Sequence, residues 1–315
     1  MKILFLGCDK FALIPLRHLY QEGWLKAVIT RKEKIKGRGL KIEQTAVGRE
    51  AQNLDILSYE VETLRGFSSP ILKEIDLLIC VAFGLKIPQE FINRFPLGEI
   101  NLHPSLLPYY RGAAPIRRAI MEGKTLTGVT VHTVSLNYDE GEILSQLEVP
   151  INDDDNYSSL SQRLAEVGTK LLIETIRKKE KSAIKLMPQD HSQATYASRI
   201  KKEERYINWN GKAKHIVNLV RALSSQPGAI ARYNKEEWKI LKARAFTGEI
   251  NLSEVKSSIL PIEPGYFLVT QERLLVKSGE GWVEILEVQR PGKKALPIVT
   301  FLKGFRETER LFQNE

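Results

Sequence analysis

Residues 2–7 (KILFLG) form an apolar run closed by glycine, the pattern of a short buried strand. Between 11 and 22 the apolar residues Leu13, Leu16, Leu19 and Tyr20 recur at helical spacing, and Gly23 ends the run. A second strand follows at 25–30, a helix at 43–53 and a short third strand at 54–57. A further helical stretch covers 68–75, and 75–83 (IDLLICVAF) reads as a central strand. The pattern then predicts a short helix at 88–93, a strand at 99–102, a helix at 115–122, and strands at 127–134 and 142–149. A long amphipathic helix at 157–181 places Leu160, Leu164, Val167, Leu171 and Leu172 along one stripe. Strands alternating with helices predict an α/β fold with a Rossmann-like, doubly wound parallel sheet.

The texture changes further on. Residues 188–204 mix proline, aspartate, serine and threonine with charges and read as a connection. Beyond Tyr206 one helix is predicted, at 213–223. Short strand-like runs follow at 229–233, 238–246, 265–270, 274–277 and 282–289, separated by turn residues, as expected of a small β-barrel of OB type. The expected division is a first domain at 1–188, a linker at 189–205 and a barrel domain at 206–315.

Composition narrows the class. Of 315 residues, 43% are hydrophobic and 27% charged, the proportions of a soluble globular protein. The longest apolar run contains Asp76, so no transmembrane helix is predicted. The start, MKILFLGCDKFA, lacks the long apolar core of a signal peptide, and a cytoplasmic location is expected. Cys8 and Cys80 fall in strand or strand-end positions and read as reduced core residues. The net charge of +9 favours an anionic partner, with nucleic acid the commonest. The densest basic cluster is 31–41 (RKEKIKGRGLK).

Candidate chemistry lies in residues 100–120, INLHPSLLPYYRGAAPIRRAI. Side chains alternate along a strand, so Asn101 and His103 share a face, and Pro104 stops the strand after them. Two polar groups at the end of a buried strand sit where open α/β sheets bind ligands. Asp139 falls in the bend between two strands, able to aim a carboxylate back at that edge. His132 reads as structural. Gly7-Cys8-Asp9-Lys10 lacks the glycines of a dinucleotide fingerprint, so NAD is not predicted. Ser105 lacks the small neighbours of a nucleophile elbow. No ligand set at metal spacing occurs, and Asp153–Asp155 suit a helix N-terminus.

His103-Pro104-Ser105-Leu106-Leu107-Pro108, then Arg111-Gly112-Ala113-Ala114-Pro115, then Asp139-x-Gly141 together resemble the folate-dependent formyltransferases, most closely their methionyl-tRNA branch. Ile207-Asn208-Trp209 and residues 289–296 (QRPGKKAL) extend the resemblance into the last third of the chain. The resemblance implies formyl transfer from 10-formyltetrahydrofolate to the amino group of initiator methionyl-tRNA. It implies catalytic roles for Asn101, His103 and Asp139. It implies a folate pocket lined by Phe83, Gly84 and Leu85 and by Ser105, Leu106, Leu107 and Pro108. Gly37-Arg38-Gly39 resembles the family loop that enters the tRNA acceptor stem, which nominates Lys36 and Arg38 as tRNA contacts. Lys293 and Lys294 are nominated on the barrel. A monomer is expected. The competing reading is a formyltransferase acting on a nucleotide-linked amino sugar, which shares the catalytic core.

Overall fold

The computed structural model describes residues 1–32, 44–249, 263–270, 272–306 and 311–314. The chain forms two compact units. The first takes in residues 1–115, 126–150 and 160–198, and the second residues 116–125, 151–159 and 199–315.

The first unit is built on a seven-stranded sheet. Its strands are β1 (Ile3–Gly7), β2 (Leu25–Arg31), β3 (Ser58–Val61), β4 (Leu77–Val81), β5 (Glu99–His103), β6 (Leu126–Thr133) and β7 (Ile143–Pro150), in the order β3-β2-β1-β4-β5-β6-β7. The first five run parallel, β6 is antiparallel to β5, and β7 is antiparallel to β6. Every residue of β1 and β4 is buried, which explains why both read as unbroken apolar runs. Helices α1 (Leu13–Gln21) and α2 (Ala46–Asn53) follow β1 and β2. Thr45 caps α2 by accepting the Gly48 N–H at 2.9 Å, and its hydroxyl meets that of Thr30 at 2.6 Å. The long helix α4 (Tyr157–Glu180) buries Leu160, Leu164 and Leu172. It carries Gly168 against Leu102 and Val129, where an added Cβ would lie 3.1 Å from Leu102.

Three predicted elements differ from those observed. The third strand is Ser58–Val61, not 54–57. Leu54 caps α2, and the Ile56 N–H returns to Ala51 O, so these apolar residues close the helix. The helical stretches at 68–75 and 88–93 are short 3₁₀ turns, Pro70–Lys73 and Gln89–Phe91.

The second unit contains α3 (Pro115–Met121) beyond its first residue, α5 (Ala213–Leu223), and strands β8 (Ala229–Tyr233), β9 (Glu236–Phe246), β10 (Phe267–Val269), β11 (Leu274–Lys277), β12 (Trp282–Gln289) and β13 (Leu296–Pro297). The order is β10-β11-β12-β9-β8, antiparallel throughout, with β13 beside β12. Single bridges Arg232–Gln313 and Tyr266–Leu311 lay the segment 311–313 against β8 on one side and beside β10 on the other. The sheet curls around an aromatic core in which Trp209 stacks on Phe312 at 5.4 Å and Tyr233 meets Trp238 at 4.8 Å. The hydrophobic pattern predicts one helix in this region, and a second is present, α6 (Ile298–Gly304).

Candidate active site

Strand β5 ends at His103, as the proline after it requires. Asn101 and His103 project to the same face, and Asp139 comes to them from the turn between β6 and β7. The Asn101 amide Nδ2 lies 3.2 Å from Asp139 Oδ1, and His103 Nδ1 lies 3.5 Å from the same oxygen. The three residues singled out in the sequence therefore form one cluster. The His103 side chain is 5% exposed and that of Asp139 11%.

A fourth member, His132, reads as structural in the sequence and joins the cluster in the fold. It stands opposite Asn101 in the antiparallel β5–β6 register. Its Nε2 lies 3.0 Å from Asn101 Nδ2 and 3.6 Å from Asp139 Oδ1. The signal that could have found it is this register, since Asn101 and His132 are paired across strands while far apart in sequence. His132 Nδ1 donates to the Thr133 carbonyl at 2.8 Å. In the neutral ring that leaves Nε2 as a bare acceptor for the Asn101 amide. Both Asn101 N–H groups are thus engaged, one by His132 and one by Asp139.

Protonation follows from burial and partners. Burial pushes the His103 imidazole down from its ordinary value, and the Asp139 charge offsets this only in part. The neutral ring donates from Nε2 to the Tyr110 carbonyl at 3.0 Å, which leaves the Nδ1 lone pair on the Asp139 side. Burial works to raise the Asp139 carboxyl, but the charge of a protonated His103, the His132 ring when it too carries a proton, and the Gly112 N–H, 2.8 Å from Oδ2, outweigh it, so the carboxyl titrates well below the usual carboxylate range and is ionised whenever His103 takes up a proton. A proton arriving at Nδ1 would sit between an imidazole and a fixed carboxylate. Cys80 is the β4 partner of Asn101, and burial pushes its thiol up to about 12. It is therefore a thiol at neutral pH.

The backbone around the cluster is unusually bent. Ala82 (φ 47°), Tyr110 (φ 58°) and Asp139 (φ 59°) are left-handed non-glycine residues, and Gly84 and Gly112 are left-handed beside two of them. Such conformations cost roughly 1–3 kcal/mol each where the side chain is not glycine and gather at functional sites.

The residues nominated for folate leave the ends of adjacent parallel strands, Phe83–Leu85 after β4 and Ser105–Pro108 after β5. Phe83 is buried in the apolar cluster with Leu6 and Leu78, while Gly84 is exposed and Leu85 half-buried. Ser105 donates to Tyr109 O at 2.6 Å, and Leu107 gives its N–H to Thr130 Oγ1 at 3.1 Å. Both are buried and hold the turn, and Leu106 and Pro108 are half-buried. Lys293 and Lys294 are exposed between β12 and β13. Lys36 and Arg38 lie outside the described residues.

Comparison with known proteins places the chain in a family. Residues 1–176 match the formyl transferase family and residues 199–306 match the formyl transferase C-terminal domain. A methionyl-tRNA formyltransferase of Sulfurihydrogenibium sp. is 38% identical over 97% of both chains. One from Koribacter versatilis is 37% identical over 97% of this chain and 96% of the relative. Among solved structures, a Helicobacter canadensis N-formyltransferase in complex with folinic acid and dTDP-3-aminofucose superposes with a TM-score of 0.65. It is 22% identical and matches over 92% of this chain and 99% of that one, a likeness of fold. With both of its domain types matched and full-length relatives above 30% identity, the chain belongs to the formyl transferase family.

Proposed function

We propose that the protein transfers the formyl group of 10-formyltetrahydrofolate to the amino group of initiator methionyl-tRNA, as a step in translation initiation. The observation that carries this reading is the Asn101–His103–Asp139 cluster around a buried imidazole, set in a chain that matches methionyl-tRNA formyltransferases along 97% of its length. In this reading residues 1–188 are the catalytic domain, 189–205 the linker and 206–315 the tRNA-binding barrel.

The chemistry follows from the cluster. The substrate amine attacks the formyl carbon, forming a C–N bond, and the developing oxyanion needs a donor. Asn101 supplies it by turning one of its two engaged N–H groups to the oxygen. The amine's proton passes to His103 Nδ1, which Asp139 faces at 3.5 Å. The tetrahedral adduct then collapses, the bond to folate N10 breaks, and N10 takes up a proton. No covalent enzyme intermediate is needed, because the amine is itself the nucleophile. The folate is held by the turns 83–85 and 105–108, and the tRNA by Lys36, Arg38, Lys293 and Lys294.

The amino-sugar reading draws on the fold it shares with the Helicobacter canadensis enzyme. The deciding experiment supplies 10-formyltetrahydrofolate with either aminoacylated initiator tRNA or a dTDP-amino sugar. Formylmethionine on the tRNA is the expected product. Formylation of the sugar alone would reverse the order of the two readings.

A further inference from the structure

Asp139 lies in a left-handed turn, and the carbonyls on either side of Glu140 converge on one side chain. Gln189 Nε2 donates to Asp139 O at 2.9 Å and to Gly141 O at 2.6 Å. Gln189 Oε1 accepts from Arg111 Nε at 3.1 Å and from Nη2 at 2.7 Å. The amide has two donor hydrogens and two lone pairs, and all four are used. Both residues are buried, Arg111 to 1% and Gln189 to 6% exposure. Arg111 Nη1 also lies 3.3 Å from Glu140 Oε1, and Nη2 lies 3.1 Å from His191 Nδ1.

The carboxylate itself is tied to the same arginine segment. Gly112, next to Arg111, gives its N–H to Asp139 Oδ2. Arg111 is anchored in turn by backbone bonds to the segment that carries Gln189, from Arg111 N to Thr195 O at 2.9 Å and from Ala197 N to Arg111 O at 2.7 Å. The Gln189 amide thus ties the backbone of the Asp139 turn to Arg111, whose neighbour Gly112 gives its N–H to the carboxylate, beside the Arg111–Glu140 ion pair that joins the same two segments.

We propose that Gln189 is a positioning residue for formyl transfer, tying the Asp139 turn to Arg111 and so aiming the carboxylate at Asn101 and His103. The proposal rests on the catalytic reading of that cluster. Buried amides with every polar atom matched are geometrically demanding, since losing either set of partners leaves uncompensated groups. Misplacement of a reacting group by about 1 Å can cost on the order of 100-fold in rate.

The test is Gln189→Glu, which keeps the volume and a partner for Arg111 but removes both N–H donors. The expected result is a kcat lower by about 10- to 100-fold with KM for 10-formyltetrahydrofolate near wild type. In an Asp139→Asn background the same substitution should cost little, because the group it aims is gone. A structural role would lower both backgrounds equally. Gln189→Met repeats the measurement without a new charge, so a folding defect specific to a buried glutamate cannot decide the result. Wild-type kcat in both Gln189 variants, or equal losses in both backgrounds, overturns the proposal. Wild-type turnover of Asp139→Asn itself would overturn the catalytic reading and the proposal with it.

Discussion

Asn101 and His132 face each other across the β5–β6 pair, with the amide nitrogen 3.0 Å from a ring nitrogen whose partner atom is already committed to the Thr133 carbonyl. The ring fixes which way the amide points, because only an acceptor at Nε2 is compatible with an N–H facing it. His132→Ala should lower kcat by roughly 10-fold, within the range of buried partners that orient a reacting group. His132→Gln, which can offer an acceptor oxygen, should recover much of the loss. Steady-state kinetics on the two variants, read as kcat and KM separately, check this.

Asn101→Ala, His103→Ala and Asp139→Ala should each reduce kcat by about 10²–10³-fold, the usual cost of removing a preorganised group from the reacting centre. Folate affinity, measured by fluorescence or calorimetry, should survive in each. A variant that keeps near-wild-type turnover at saturating substrates would lose its assigned role.

The pH dependence has a definite sign. Neutral His103 is the form able to take the amine's proton, and burial lowers its pKa. Activity should therefore hold as pH falls past the ordinary histidine value of about 6.5 and decline only below it. Asp139 works upward on His103, so in Asp139→Asn the residual acid limb should move lower still. Folding follows the same logic. Unfolded His103 binds a proton where the folded ring does not, so stability rises with pH through the interval below about 6.5. His103→Gln should flatten that rise in denaturant titrations run between about pH 5 and 7, which brackets the histidine range.

Replacing Lys293 and Lys294 by alanine should weaken tRNA binding and leave folate binding intact. Each cation removed from a phosphate should reduce the salt slope of log affinity by about one unit. The pair Lys36 and Arg38 should behave alike. Filter binding across a salt series distinguishes the outcomes, and an unchanged slope in both double variants would move the amino-sugar reading to first place.

Much of the fold was legible because its strands are either wholly apolar or cleanly bounded. Ala213–Leu223, Ala229–Tyr233, Leu274–Lys277 and Trp282–Gln289 begin and end where the pattern places them. The helix Ile298–Gly304 was hidden by its sequence, IVTFLKG, whose β-branched start reads as strand. The third strand, SYEV, is half exposed and gave a weaker signal than the apolar end of α2 before it. In the candidate site, Asn101 and His103 were legible from one strand end and Asp139 from a separate downstream motif, Asp139-x-Gly141. His132 and Gln189 were not, because their partners are assigned by strand register and by a buried amide from a polar, proline-flanked segment. Neither relation leaves a periodic trace in the chain.

The short segment at 311–313 sits between the strands that would otherwise end the C-terminal sheet, giving the Gln313 N–H to Arg232 O and the Phe312 N–H to Gly265 O, both at 2.9 Å. An open sheet offers its unsatisfied edge groups to any other strand, including one from a second molecule. With these positions occupied from within the chain, β8 and the start of β10 are poor templates for strand addition. Proteolytic loss of residues 311–314 would uncover both sides at once, together with the ring cavity left by Phe312. The clipped protein should then be lost from solution through intermolecular β-pairing rather than through a simple drop in turnover.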